Sequence, residues 1–136
     1  MGLIKLFTTP NCLGCKNSRN FLTTNGFEFI ERDISKEGIT RDELIDILYL
    51  SENGFDDIVS VRSNSFKTLK SKKIDDLSFN DALDLIQANP LILHRPIIVQ
   101  YNEKKVPTRI LIGYNKDDIT IFLRDLKTTT TTTITN

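Results

Sequence analysis

The pair Cys12-Leu13-Gly14-Cys15 stands where a short apolar run gives way to a helical pattern, and that placement restricts the fold more than any other feature of the chain. Leu3 to Thr8 reads as a short buried strand, Thr9-Pro10-Asn11 as a turn, and the residues from Cys12 to about Asn25 as a helix that Gly26 stops. Phe27 to Asp33 alternates apolar and polar positions and reads as a second strand. Strand, helix and strand in that order require a parallel pairing with a crossover helix. The cysteines then sit at a helix N-terminus, where partial positive charge and free amides stabilise a thiolate. One turn on, the second thiol can attack the first once that is oxidised or held in a mixed disulfide.

The remaining elements complete the plan. Thr40-Arg41-Asp42-Glu43 is a capping-box pattern, followed at helical spacing by Leu44, Ile45, Leu48 and Tyr49. Asn53-Gly54 marks a break between short helices within Ser51 to Val61. Ser78 caps another helix, with Phe79, Ala82, Leu83 and Ile86 expected on its inner face and Asn89-Pro90 closing it. Ile97 to Gln100 and Arg109 to Ile112 read as strands joined by a polar loop from Tyr101 to Pro107. A last helix is expected from Asn115, with Ile119, Phe122 and Leu123 turned inward. The order βαβ, helices, ββ, α is an α/β thioredoxin-like plan with an inserted helical subdomain. The expected domain is 1-126, with the insertion at roughly 36-90 and a disordered threonine-rich tail at 127-136.

Two cysteines in a chain with no secretory signal and no bilayer-length apolar run read as cytoplasmic thiol chemistry rather than a structural framework. Zinc would need about four nitrogen or sulfur ligands, and His94 is the one further candidate, so no metal or cofactor is expected. Eighteen basic residues balance eighteen acidic ones. A chain gripping nucleic acid alone normally carries a basic excess, so any DNA contact is local or partner-assisted.

Two further stretches carry chemistry. In His94-Arg95-Pro96-Ile97, Pro96 either only starts a strand or lies against the cysteine loop. The second case is what the resemblance to thioredoxin-like folds implies: the Arg95 guanidinium then comes close to Cys12 and holds its thiolate, and the same resemblance implies a cis Arg95-Pro96 bond. Arg62 to Lys73 contains five cations and no anion. It is either a solvated helix face or a phosphate-facing patch in which Arg62, Lys67 and Lys70 touch an anion or the DNA backbone.

Four segments together resemble one family: Thr8 to Cys15, Asp57 to Ser63, His94 to Ile98, and Leu111 to Ile119. The chain is similar, to about Leu126, to the Spx transcriptional regulators, which belong to the arsenate reductase-like (ArsC) branch of the thioredoxin fold. The resemblance implies a non-enzymatic, monomeric regulator of thiol- and oxidative-stress genes, with a Cys12–Cys15 disulfide as its switch. It implies that Gly54 lies in a surface for the C-terminal domain of the RNA polymerase α subunit, and that Arg95 supports the oxidised state. It also implies contact with promoter DNA only within the polymerase complex, and turnover by ClpXP, often with an adaptor. Phe55 and the threonine-rich tail depart from the family pattern.

The alternative is an arsenate reductase-like thiol oxidoreductase with Cys12 as nucleophile and Arg62 and Arg95 neutralising the oxyanion. Against it, Ile112 stands where the resemblance puts a third active-site arginine in those reductases, and Arg109, three residues earlier, is expected to point elsewhere.

Overall fold

Ile4–Thr8 forms β1 and lies inside the sheet, hydrogen-bonded on both sides, because nearly all of its residues are apolar or find a buried partner. The computed structural model describes residues 2–60 and 77–124. Arg62, Lys67, Lys70 and the threonine-rich tail lie outside the described residues. α1 (Leu13–Thr24) leads from β1 to β2 (Phe29–Asp33), and β1 and β2 pair in parallel with Ile4 opposite Phe29 and Thr8 opposite Asp33. β3 (Ile97–Tyr101) lies antiparallel on the other side of β1, and β4 (Pro107–Ile112) antiparallel beyond it, giving the order β2-β1-β3-β4.

Between β2 and β3 the described helices are α2 (Ile34–Glu37), α3 (Arg41–Leu50), α4 (Phe55–Ile58) and α5 (Phe79–Ala88). Strand alternation divides the interior in two. Phe7, Ile97, Val99, Ile110 and Ile112 face a cluster with Leu44, Ile47, Ile58, Leu83 and Ile86. Ile4, Leu6, Ile98 and Leu111 face Leu22, Phe27, Ile119 and Phe122. Each fully buried aliphatic or phenylalanine side chain contributes about 1.5–3 kcal/mol relative to exposure, so these two faces hold the sheet between its layers. Among the described residues no helix is long and apolar enough to cross a membrane.

Local signals decide most boundaries. The box at α3 is formed in full, the Thr40 hydroxyl accepting from Glu43 N at 3.1 Å and Glu43 Oε1 accepting from Thr40 N at 2.9 Å. Ser78 Oγ accepts from Asp81 N at the start of α5. Gly26, at φ +74°, follows α1 and lets Phe27 N donate to Leu22 O at 2.9 Å.

Several expectations are corrected. β2 begins at Phe29; Phe27 belongs to the turn out of α1, where it is buried and stacks on Phe21. β4 begins at Pro107, a first-residue position where the missing N–H is harmless. On α3 the inward residues are Leu44 and Ile47, whereas Ile45 and Tyr49 are exposed, lying to one side of the stripe that faces the sheet. Phe79 opens α5 and is 53% exposed. Helical side chains lean toward the N-terminus, and in a first turn that carries the ring past the end of the core. The expected last helix opens as a 3₁₀ segment, Asp118–Phe122, and Leu123 and Arg124 after it are α-helical; the segment is entered through Asn115 Oδ1, which accepts from Asp117 N and Asp118 N. Ile119 and Phe122 are buried as expected, and their spacing of three matches the 3₁₀ turn.

Candidate redox site

The loop that leaves the end of β1 carries the site. Asn11 takes a left-handed conformation, φ +59°, which asparagine tolerates better than most residues, and this turns the chain so that Cys12 becomes the N-cap of α1. Cys12 and Cys15 are joined in a disulfide with their Cα atoms 5.2 Å apart, and Cys15 N also donates to Cys12 Sγ at 3.1 Å. The two sulfurs are not equivalent. Cys15 is buried at 1% exposure, while Cys12 is half-buried and faces a cleft on each side of its loop.

Gly14 makes the tight packing behind the disulfide possible. A Cβ there would stand 3.2 Å from both Pro96 Cδ and Tyr114 Cβ, closer than ordinary van der Waals contact. Pro96 is buried, its bond to Arg95 is cis as expected, and its carbonyl accepts from Gly113 N at 2.7 Å. The cysteine loop, the start of β3 and the chain leaving β4 therefore converge at one end of the sheet.

Arg95 lines the same cleft as Cys12, together with Ser60 and His94. Its Nη1 donates to the carbonyls of Leu91 and Leu93 at 2.7 and 2.9 Å, and burial draws its pKa below the ordinary value. Arg95 and Cys12 thus share a cleft, with Arg95 Nη1 bonded to backbone carbonyls and Cys12 Sγ in the disulfide. Backbone oxygens occupy Nη1, because the Pro90–Ile92 3₁₀ turn and its C-cap Leu93 present carbonyls there. The neighbouring cleft is lined by Arg95, His94, Asp57 and Ile112. Burial, with the charge of Arg95 added, also lowers the pKa of His94 and favours neutral imidazole. Arg109 is directed away from Ile112, its Nη1 donating to Gln100 Oε1 at 3.0 Å.

Gly54 is the N-cap of α4 at φ +62° and ψ −130°, with nothing within 4 Å of a built Cβ, and lines neither cleft at Cys12. Its backbone conformation alone disfavours other residues. The structure does not bring Gly54 to the cysteines, and Arg62, Lys67 and Lys70 lie outside the described residues.

One group at the site escaped the sequence reading. Arg19, which lines the cleft on the α1 side of Cys12, is tied to Glu31 on β2, whose carboxylate also accepts from the buried Thr8 hydroxyl. The Arg19 bond, helped by Thr8, holds the Glu31 carboxyl below its usual pKa. No spacing rule couples positions 19 and 31; only the helix–sheet packing does. Among the described residues no group of three or more His, Cys, Asp or Glu side chains could hold a metal ion.

Known proteins share this architecture. The family model described as ArsC family matches residues 7–122. The global transcriptional regulator Spx of Streptococcus pyogenes serotype M3 is 39% identical over 121 residues, covering 89% of this chain and 85% of its own. Global transcriptional regulator Spx 1 of Oceanobacillus iheyensis is 40% identical, covering 89% of this chain and 87% of its own. Among solved structures, a putative ArsC family related protein from Bacteroides fragilis superposes with a TM-score of 0.68 at 22% identity, covering 85% of this chain and 92% of its own. An arsenate reductase from Vibrio cholerae gives 0.65 at 16% identity, covering 90% of this chain and 96% of its own. At those identities the structures speak to the fold, a thioredoxin-like α/β domain, while the match over most of its length to Spx proteins speaks to the branch. The chain belongs to the ArsC family and, within it, to the Spx branch.

Proposed function

We propose that this protein is a redox-responsive transcriptional regulator that docks on the C-terminal domain of the RNA polymerase α subunit and is switched by the Cys12–Cys15 disulfide. The curated relatives named global transcriptional regulator support the regulatory half of this reading. The observation that carries the switch is the asymmetry of the pair. Cys12 is reachable from two clefts and its partner is buried directly behind it, so an oxidised Cys12 is resolved within the chain. In this reading Cys12 is the thiol that meets oxidant, Cys15 closes the disulfide, and Pro96 holds the loop in place. Arg95 contributes positive charge to the Cys12 cleft while anchored on its two carbonyls.

The polymerase-facing surface is placed around Gly54, whose neighbours Glu52 and Asp56 are exposed and acidic. Contact with promoter DNA is made within the polymerase complex, with Arg62, Lys67 and Lys70 as candidates for the DNA backbone. Turnover by ClpXP, with or without an adaptor, and a monomeric, cytoplasmic state belong to the same proposal.

The charge distribution near Cys12 weighs against an arsenate reductase. Transition-state oxyanions need several free cationic donors. Among the described residues Arg19 is neutralised by Glu31, Arg95 Nη1 is held by backbone carbonyls, Ile112 lines the cleft beside Arg95 with an apolar side chain, and Lys16 is the further cation lining the Cys12 clefts. Two assays on the same preparation test the proposal. The purified α C-terminal domain should be retained by the protein, with affinity that differs between oxidised and reduced forms, and arsenate should not be reduced with a dithiol donor. Arsenate turnover without α binding would replace the regulator with the enzyme.

A further inference from the structure

α5 begins with an aromatic residue that its own helix leaves outside. Phe79 is 53% exposed, although Ala82 and Leu83, one turn further on, are completely buried. Its ring meets Phe55 at a centroid distance of 5.7 Å with the planes tilted by 50°, an arrangement in which edge and face attract. Phe55 directly follows Gly54, and packs against the core on its other side. The pair is thus an apolar step that rises from the core onto the surface beside Gly54.

Among the described residues the surroundings of that step are acidic. Glu52 and Asp56 are exposed on the Gly54 side, and Asp81 is exposed in the first turn of α5. Asp57 is already committed, its carboxylate accepting from Asn53 N and Nδ2 at 2.9 and 3.1 Å. Arg41, a described cation nearby, is already committed, its guanidinium donating to Asp84 and Asn80. Aromatic faces carry negative potential, as carboxylates do, so the ring pair and its rim attract the same kind of partner.

We infer that Phe55, Phe79, Glu52 and Asp56 form one docking surface for a cationic helix face, with an arginine or lysine of the partner over the exposed face of Phe79. This inference rests on the proposed docking of the α C-terminal domain and names the chemistry of its contact. The charge of the described residues argues against the other occupants. A second copy related by a two-fold axis would bring Glu52, Asp56 and Asp81 against their own counterparts, which is repulsive. An anionic lipid surface would be repelled in the same way.

The test is a titration of the full chain against purified α C-terminal domain, with wild type, Phe79→Ala, Phe79→Tyr and the double variant Glu52→Lys/Asp56→Lys. Because Phe79 is half outside the core, Phe79→Ala is expected to keep the wild-type melting temperature within a few degrees. It should weaken binding about tenfold, the loss typical of an aromatic anchor, while Phe79→Tyr stays within about twofold of wild type. The charge-reversed protein should lose both affinity and the salt dependence of binding. Equal binding by Phe79→Ala and wild type overturns this inference and leaves α docking standing. A wild-type chain that fails to bind overturns both. A dimer of the chain that Phe79→Ala abolishes, with α binding untouched, would assign the surface to self-association instead.

Discussion

Arg19 and Glu31 join α1 to β2 through two parallel bonds of 2.6 Å each, Nε to Oε1 and Nη2 to Oε2, and the buried Thr8 hydroxyl donates to the second oxygen at 2.8 Å. Three elements that surround the cysteine loop meet on one carboxylate. Bidentate geometry of this kind is the strongest form of the arginine–carboxylate pair.

Glu31→Gln should therefore destabilise the protein, but only by about 1 kcal/mol, because both partners are partly solvated and screened. The pH dependence has a definite sign. Arg19 lowers the native pKa of Glu31, so the pair contributes fully above the unfolded carboxyl value of about 4.3. It is lost as the pH falls through the lower native value. Melting temperatures of wild type and Glu31→Gln should converge on acidification, and a gap that stays constant to low pH would contradict the assignment.

A second carboxylate organises the opposite face of the β1–β2 pair. Glu43, its side chain 5% exposed, receives Lys5 Nζ at 3.2 Å, Arg32 Nη2 at 3.1 Å and Thr40 N at 2.9 Å. Burial would raise its pKa, yet the Thr40 amide, Arg32 and Lys5 together outweigh burial and lower it. Glu43→Ala should cost about 3 kcal/mol in urea unfolding, because it strands the two cations as well as removing half of a capping box. Glu43→Gln should cost less, since its amide oxygen still accepts from Thr40 N. Equal losses for the two variants would show that the cap and the ion pairs do not act separately.

Reactivity should follow the burial of the two sulfurs. In the reduced protein, iodoacetamide should label Cys12 at least about tenfold faster than Cys15, because only an accessible thiolate reacts readily. Cys15→Ser should trap mixed disulfides of Cys12 with small thiols, whereas Cys12→Ser should form few. Mass spectrometry resolves both outcomes, and preferential labelling of Cys15 would reverse the roles of the two thiols.

Gly54 makes a separate prediction. Nothing crowds a side chain there, but φ +62° with ψ −130° is a conformation that side-chain-bearing L-residues rarely adopt. Gly54→Ala should therefore lose about 1–3 kcal/mol of stability with no clash to explain it. D-alanine, introduced by chemical ligation, should restore most of that loss. A fully stable Gly54→Ala would mean that α4 starts in another conformation in solution.

The parts of the fold legible in the sequence were those governed within a few residues. Thr40 with Glu43, Ser78 with Asp81, and Gly26 after α1 act through neighbouring amides, and each stands where its pattern put it. The two sulfurs at a helix start were legible for the same reason. Tyr49 and Phe79 were not, because helical spacing says which side a residue is on and not how far the core extends beneath it. The bonds from Arg95 Nη1 to the carbonyls of Leu91 and Leu93 were not legible either, since they depend on a turn that no spacing announces. Arg19 and Glu31 meet only after α1 has packed on the sheet.

The central position of β1 has a consequence for synthesis. Its parallel neighbour β2 follows closely in sequence, but its antiparallel neighbour β3 arrives only at Ile97, and Pro96 just before it. At about 5–20 residues per second, a ribosome leaves the cysteine pair without that cover for roughly 4–16 s. During this interval both thiols are open to the surrounding redox pool, and the difference in burial that separates Cys12 from Cys15 does not yet exist. Nascent chains stalled short of Pro96 should therefore alkylate at both cysteines alike. Chains long enough to place β3 and β4 outside the exit tunnel should protect Cys15.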